Sequence, residues 1–464
     1  MAPADCDGDH LEWCALITSL TVFYRLSLAD CTARECVILS ARVTKMMTFP
    51  YVNSFWAPAD ISVVAPLDAQ SIEADIVVIG GGFAGMSSAY YIKRAKPDAR
   101  IVLLEKEHIG FGPSGRNFGA VVPGLRELRT VFLTDLDPKE EAFAQAWYLE
   151  AKSEFERRIG EAKIECDYRR EPLLMVSVDE ESWAAQQREA AVLTERGTPH
   201  RLLDRDAVRA AMSLPYEIHG GIVRTEWHAV QPFNLARGFA DQLRSMGVIV
   251  NEGTGVSRIE DDGDRVTVHT SAGGQVTARK SVLATNAYTQ LMRQFADLIF
   301  PRHTWVLATE VLDDATFQSL GFDEFKFVED AGLTFYYSRV YQNRLLMGGG
   351  APLRGLFTPS TVDAIADQDA SEYQRIYDEM QHRFPQLTGV KIDAAWAGPT
   401  DMTENFMPII APLADMPNVI TQIGFNGDGV LNASITGKMV TGLVLGSEYK
   451  DAAAERVRQY MMRA

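Results

Sequence analysis

The sequence predicts a mixed α/β (α+β) fold: a Rossmann-like three-layer domain for a dinucleotide, interleaved along the chain with a second domain built on an antiparallel sheet. Three observations predict it. Residues 74–106 read as strand, glycine turn, helix, strand and acid; residues 419–443 repeat strand, glycine turn and helix; and residues 300–350 carry successive β-type runs. A chain of 464 residues has room for two or three domains, and 47% apolar with 23% charged residues is globular rather than disordered composition.

The first element is Ile76 to Ile79, a short apolar run of the kind buried on both faces of a parallel sheet. Gly80, Gly82 and Gly85 follow in G-x-G-x-x-G spacing. The first permits the tight turn, the second lets a pyrophosphate approach the backbone, and the third lets the next helix sit close to the strand. Phe83 and Ala84 open that helix, whose free N–H groups and positive dipole end suit phosphate. Ile101 to Leu104 make the second strand, and Glu105, followed by Lys106, stands twenty residues past Gly85, where a carboxylate accepts ribose hydroxyls. All of these are expected to contact the dinucleotide.

Gly110 to Gly119 (GFGPSGRNFG) is too rich in glycine and small polar residues for a plain nicotinamide connection. It resembles the segment after the second strand in the D-amino-acid oxidase-like superfamily, closest to the gamma-glutamylputrescine oxidase type, whose loop reads G-x-S-G-R-N-G-G; Phe118 replaces one glycine. The resemblance spans nearly everything after residue 55 and implies FAD, with contacts from Gly112, Ser114, Gly115, Arg116 and Asn117. It implies an FAD-binding domain from residues 71–165, 225–300 and 395–464, and a discontinuous antiparallel-sheet substrate domain from 166–224 and 301–394. Residues 1–70 are then an N-terminal extension.

Between these landmarks, Asp137 to Ile164 reads as a long amphipathic helix with Phe143, Trp147, Phe155 and Ile159 inward, and Trp183 to Arg196 as another. Leu173 to Val178 and Gly220 to Val223 read as strands, and Leu235 to Ser245 as a helix ahead of the strand Val248 to Val250. Val256 to Val268 alternates about an Asp-Gly turn, the mark of a hairpin. The resemblance implies that Val256 touches the adenine side and that Ala284, Thr285 and Asn286 pass beside the cofactor; a plain buried strand end is the competing reading. Trp305 to Leu312, Leu333 to Val340 and Arg344 to Met347 are strands, and Ser371 to Phe384 is a helix.

The second glycine turn, Gly424 to Gly429 (GFNGDG), precedes a helix from Val430. In the family it lays a helix N-terminus against the pyrimidine end of the flavin, which implies contacts from Gly424, Asn426, Gly427, Asp428, Gly429 and Val430. Relatives commonly read G-x-x-G-H-G-V. Asp428 in place of His opposes flavin reduction unless it points away or is paired. Covalent attachment needs a late cysteine or a histidine where this chain has Asn117, and no cysteine follows Cys166, so non-covalent FAD is expected.

Superfamily members acting on α-amino acids commonly hold the carboxylate with an Arg in G-x-R-P ten residues before a proline. Aligning Gly398 and Pro408 puts Thr400 where that Arg would be. The expected substrate is therefore a primary or secondary amine, oxidised to an imine that hydrolyses to an aldehyde, with dioxygen or another acceptor taking the electrons. Arg339 is the first substitute clamp, Tyr336, Tyr337 and Trp305 are aromatic wall candidates, and His228 is a candidate base. His228, Tyr336 and Arg339 thus stand as catalytic candidates, each with an ordinary packing role as its competitor. An amino-acid oxidase or dehydrogenase of the glycine, sarcosine or D-amino-acid type is the alternative. A flavin-binding protein without turnover stays open through Phe118 and Asp428.

A net charge of −17 without clustered Lys and Arg disfavours nucleic acid, and no apolar run of eighteen residues predicts a membrane span. Four cysteines (Cys6, Cys14, Cys31, Cys36) crowd the N-terminus at spacings that match no zinc pattern, and no metal site is expected. Cys14 to Tyr24 has the length of a signal-peptide core, but the preceding residues are acidic. A body with Cys166 alone suits a reducing cytoplasm. Residues 1–45 differ in composition from the rest, and Met46 or Met47 is the alternative initiator to a native appendage. Oligomeric state is left open.

Overall fold

In the computed structural model the apolar runs Ile76–Ile79 and Ile101–Leu104 lie side by side at the centre of a six-stranded sheet. Its order is Ile249–Asn251, Ile101–Leu104, Ile76–Ile79, Lys280–Leu283, Met416–Ile423 and Ile409–Leu413. The first five strands are parallel and the last is antiparallel. The described residues are 47–122, 138–195, 197–331, 334–352, 368–403 and 407–446. The expectations for residues 1–45, Asp137, Arg196, Leu333, the Phe143 side chain and the chain after Gly446 lie outside what is described.

Both central strands are buried along their whole length because each face has its own cover. Ile76, Val78, Ile101 and Leu103 face one core, shared with the helices Phe83–Ala95, Pro138–Ala162, Pro232–Ser245 and Gly429–Leu445. Val77, Ile79, Val102 and Leu104 face another, shared with a four-stranded sheet that includes the expected hairpin, Val256–Asp261 with Val266–Thr270. The alternation is the period of two that a strand imposes, and it yields the three layers predicted.

A second large sheet has eight strands, in the order Ile392–Met402, Phe300–Thr309, Arg344–Pro352, Thr334–Tyr341, Phe327–Ala331, Leu173–Ser177, Gly220–Arg224 and His200–Asp204. It is antiparallel at every pair except Phe327–Ala331 with Leu173–Ser177. One boundary differs from expectation. Residues 395–402, assigned above to the cofactor domain, run in this sheet instead, since the strand Ile392–Met402 finds its antiparallel partner in Phe300–Thr309. Among the described residues no helix is long and apolar enough to cross a membrane.

The helical layer is pinned by Arg158, fully buried between the rings of Phe239, 3.7 Å away, and Tyr90, 4.5 Å away. Its guanidinium donates to Gln242 Oε1 (2.8 Å) and Ser87 Oγ (3.0 Å), so one side chain joins three helices. Burial lowers its pKa to about 10, which leaves it charged at neutral pH. Arg158→Ala removes the packing and strands two acceptors, so it is expected to destabilise the fold by about 3 kcal/mol. Urea unfolding measures this; a loss below about 1 kcal/mol would contradict the pinning role.

Candidate active site

Between the two large sheets lies a cavity of about 1010 Å³, which the glycine turn borders through Gly80, Gly81 and Gly82. The turn is built on close backbone approach. Gly80 has φ +107°, and a Cβ there would lie 2.3 Å from the Ala284 carbonyl oxygen; one at Gly85 would lie 2.1 Å from the Gly80 carbonyl oxygen. The helix Phe83–Ala95 begins at Gly82, which has no side chain of its own to cap it. Its N-terminal N–H groups thus border an open space of dinucleotide size, the arrangement that a pyrophosphate satisfies.

Glu105 borders the same cavity and accepts hydrogen bonds from the N–H groups of Gly81 (2.8 Å) and Glu107 (3.0 Å). Burial raises its pKa against those two bonds. The carboxylate expected to meet a ribose therefore also holds the turn in shape. Ser114 Oγ accepts from the Phe83 N–H at 2.9 Å and ties the downstream loop to the same helix start.

That loop folds as a short helix, Pro113–Arg116, fastened on both sides. Arg116 donates to the Ala397 carbonyl (3.0 Å) and to the Tyr288 hydroxyl (2.5 Å), while Trp396 Nε1 donates to the Arg116 carbonyl (2.9 Å). Asn117 donates to the Pro113 and Ser114 carbonyls and accepts from the Gly119 N–H. Both residues border the cavity, yet their polar side-chain atoms hold the loop.

The second glycine turn closes the cavity near Asn286. Asp401, absent from the sequence-based set, accepts from the N–H groups of Gly424 (2.5 Å) and Phe425 (3.1 Å) and from Asn286 Nδ2 (2.8 Å). Burial pushes its pKa up to about 7 against these donors. Asp428 stands at the N-cap of Gly429–Leu445, borders the cavity, and makes no capping bond to its own helix. Of the expected cofactor residues, Gly85, Gly115 and Gly424 lie behind the wall, and all the others border the one cavity.

The three catalytic candidates lie elsewhere. His228 is paired with residues 120–121 and 169–170 in a small sheet, stacks on Tyr168 at 5.1 Å, and has its pKa lowered by burial. Tyr336 accepts from Arg375 (3.2 Å), while its neighbour Tyr337 borders the cavity, because successive strand residues face opposite sides. Arg339 is fully buried under the loop, donating to the Phe118 carbonyl (2.9 Å) with its guanidinium over the Phe327 ring. It is a strut. Arg302, which also borders the cavity, has its Cα paired directly with Thr400, the position where the carboxylate clamp is missing.

Residues 75–443 match the family described as DAO, FAD dependent oxidoreductase. The chain belongs to the DAO family of FAD-dependent oxidoreductases. It is similar to gamma-glutamylputrescine oxidoreductase of Escherichia coli (strain K12), 30% identical over 417 residues, which covers 87% of this chain and 92% of the relative. A probable oxidoreductase, OrdL, of Haemophilus influenzae (strain ATCC 51907 / DSM 11121 / KW20 / Rd) is 27% identical, covering 82% and 84%. Among solved structures, glycine oxidase from Geobacillus kaustophilus superposes with a TM-score of 0.66 at 20% identity, covering 82% of this chain and 96% of that one, and shares the fold. FAD is thus the dinucleotide that the cradle fits.

Asp401 supplies a pH prediction. Its folded pKa lies above the unfolded value near 3.9, so the proton it retains favours the fold fully below about pH 4, and this contribution is lost as pH rises through about 7. The contribution is at most ~4 kcal/mol. Asp401→Asn stays neutral throughout and is expected to show a flatter fall of thermal midpoint between pH 5 and 8. Parallel wild-type and variant curves would refute the assignment.

Proposed function

We propose that this enzyme oxidises a primary or secondary amine to an imine, which water hydrolyses to an aldehyde and ammonia or a smaller amine, with dioxygen reoxidising the cofactor to give hydrogen peroxide. The observation that carries this reading is the aromatic wall opposite the cradle: Phe327, Phe335, Tyr337 and Trp227 border the cavity where the substrate would lie. Aromatic faces hold alkyl chains and ammonium groups alike. The similarity to gamma-glutamylputrescine oxidoreductase supports the same class.

Bound FAD supplies the acceptor for the hydride leaving the carbon beside nitrogen. The residues of this chain supply position. Tyr337 lies over Gly348, where a Cβ would come within 2.6 Å of its ring, and its hydroxyl bonds Thr304, so the ring is fixed against the sheet. Phe118 meets it edge-on at 4.6 Å. No side chain is asked to act as a strong base, since hydride loss needs a neutral amine in near-attack geometry rather than a triad.

FAD is read as dissociable: Cys166 is the only cysteine among the described residues and lies outside the cavity wall, and Asn117 occupies the loop. Oxidation of an amino acid is the second reading. The pairing of Arg302 with Thr400 favours it, because a guanidinium one strand over reaches the face that Thr400 leaves without a cation.

Anaerobic mixing with a panel of amines and amino acids is expected to bleach the flavin with an amine, and admitting air is expected to restore the colour with one peroxide per turnover. Bleaching by α-amino acids alone would transfer the assignment to the second reading. Acid precipitation is expected to leave the flavin in the supernatant; yellow colour in the pellet would overturn dissociable binding.

A further inference from the structure

We propose that the arm formed by residues 50–67 is a clasp that sets how tightly FAD is retained, with Ser54 and Trp56 as its positioning residues. The proposal rests on the reading of FAD as dissociable. Four consecutive carbonyls of the loop Gly112–Gly119 are each taken by a side chain from outside it. Ser54 Oγ donates to the Gly115 carbonyl (2.8 Å), Trp396 Nε1 to that of Arg116 (2.9 Å), Trp56 Nε1 to that of Asn117 (2.7 Å) and Arg339 to that of Phe118 (2.9 Å). Trp396 and Arg339 stand on strands of the eight-stranded sheet, whereas Ser54 and Trp56 stand on the arm. The same loop borders the cavity through Ser114, Arg116, Asn117 and Phe118, so the donors that fix its backbone also fix that part of the wall.

The arm is itself fastened at both ends. The Val52 N–H donates to the Ala395 carbonyl and the Ala395 N–H to the Pro50 carbonyl, each at 3.0 Å, which lays the arm against the strand Ile392–Met402. Phe55 stacks on Trp396 at 5.5 Å, and Gln231 Nε2 donates to the Trp56 carbonyl (2.9 Å). Further along, the Val64 N–H donates to Glu252 Oε2 (3.1 Å) and the Leu67 N–H to Thr254 Oγ1 (3.0 Å). Thr254 borders the cavity too, and its N–H donates to the Glu105 carbonyl (2.8 Å). One segment thus supports the wall at the loop and again beside Glu105. A four-residue helix flanked by glycines has little order of its own, and ordering backbone costs free energy. Where the arm does not set the loop beforehand, FAD must, and the observed affinity falls with the fraction of protein whose loop is set.

The test follows FAD in the full-length holoenzyme carrying Trp56→Phe, which keeps a ring against Phe55 and Tyr341 (each 5.0 Å) and removes the donor to Asn117. The dissociation constant, read from the flavin fluorescence released on dilution, is expected to rise about 5-fold, the scale of one hydrogen bond to a backbone carbonyl. Ser54→Ala removes the other donor, is expected to act by about the same factor, and covers any failure of the first variant to fold. Amide hydrogen exchange across residues 112–119 is expected to quicken in both variants when FAD is subsaturating and to return to the wild-type rate when it is saturating. Ser177→Ala is the control for a merely structural loss, since it breaks a buried bond to Gln186 (2.8 Å) away from the cavity. It is expected to lower the thermal midpoint with FAD binding and loop exchange unmoved. An unchanged dissociation constant in the arm variants, or an equal rise in Ser177→Ala, overturns the proposal. Should acid-precipitated protein keep its flavin, dissociable binding falls and loop exchange alone decides: amides that exchange no faster in either arm variant sink the clasp.

Discussion

The closeness of the Gly80–Gly85 turn to its surroundings is the constraint on which the rest depends. A side chain at Gly80 would collide with the Ala284 carbonyl, and one at Gly85 with the Gly80 carbonyl, so strand, turn and helix pack backbone to backbone. Once the backbone is bare there, the turn has no side chains of its own to fix its shape against the cavity. The neighbours serve that end: Glu105 takes the Gly81 N–H from one side and Ser114 the Phe83 N–H from the other. Asp401 does the same for the second turn, through Gly424 and Phe425. Two glycine turns from opposite ends of the chain are thus shaped by side-chain oxygen acceptors before any ligand arrives.

What the sequence made legible was local. Strand, glycine turn and helix occupy consecutive residues, and the hairpin at Val256 announces itself by alternation and an Asp-Gly turn, so spacing alone reads them. The residues missed depend on register between strands far apart in the chain. Arg302 gains meaning from pairing with Thr400, and Asp401 from reaching the Gly424 turn and Asn286. No local pattern encodes such pairings. Tyr336 and Tyr337 show the finer limit: one faces the cavity and the other Arg375, and an irregularity between Thr334 and Tyr336 sets the parity locally.

Arginine serves in this fold as a buried joint between segments. An arginine near a cofactor loop suggests a ligand, yet Arg116, Arg158 and Arg339 are all buried and hold backbone carbonyls, side chains or aromatic rings. A planar guanidinium with five donors can join segments that meet at odd angles, where no regular hydrogen-bond ladder runs. Arg339 does so beneath Phe118 and Gly119, which explains why a cation on the sheet face contributes nothing to the cavity wall.

Phe118 ties these strands of argument together. Relatives of this loop type carry glycine at the position, and a large ring added to a cofactor loop ought to obstruct the site. Here the ring is accommodated by the opposite sheet: it meets Tyr337 edge-on at 4.6 Å and Phe327 at 6.1 Å, while Arg339 holds its own carbonyl from below. Tyr337 in turn lies flat because Gly348 has no side chain beneath it. Bulk added to the loop is thus matched by bulk absent from the sheet, and the result is an aromatic wall that runs from the cofactor loop to Tyr337 and Phe327. The ring at Phe118 is therefore absorbed by packing against the opposite sheet, with the glycine cradle left intact.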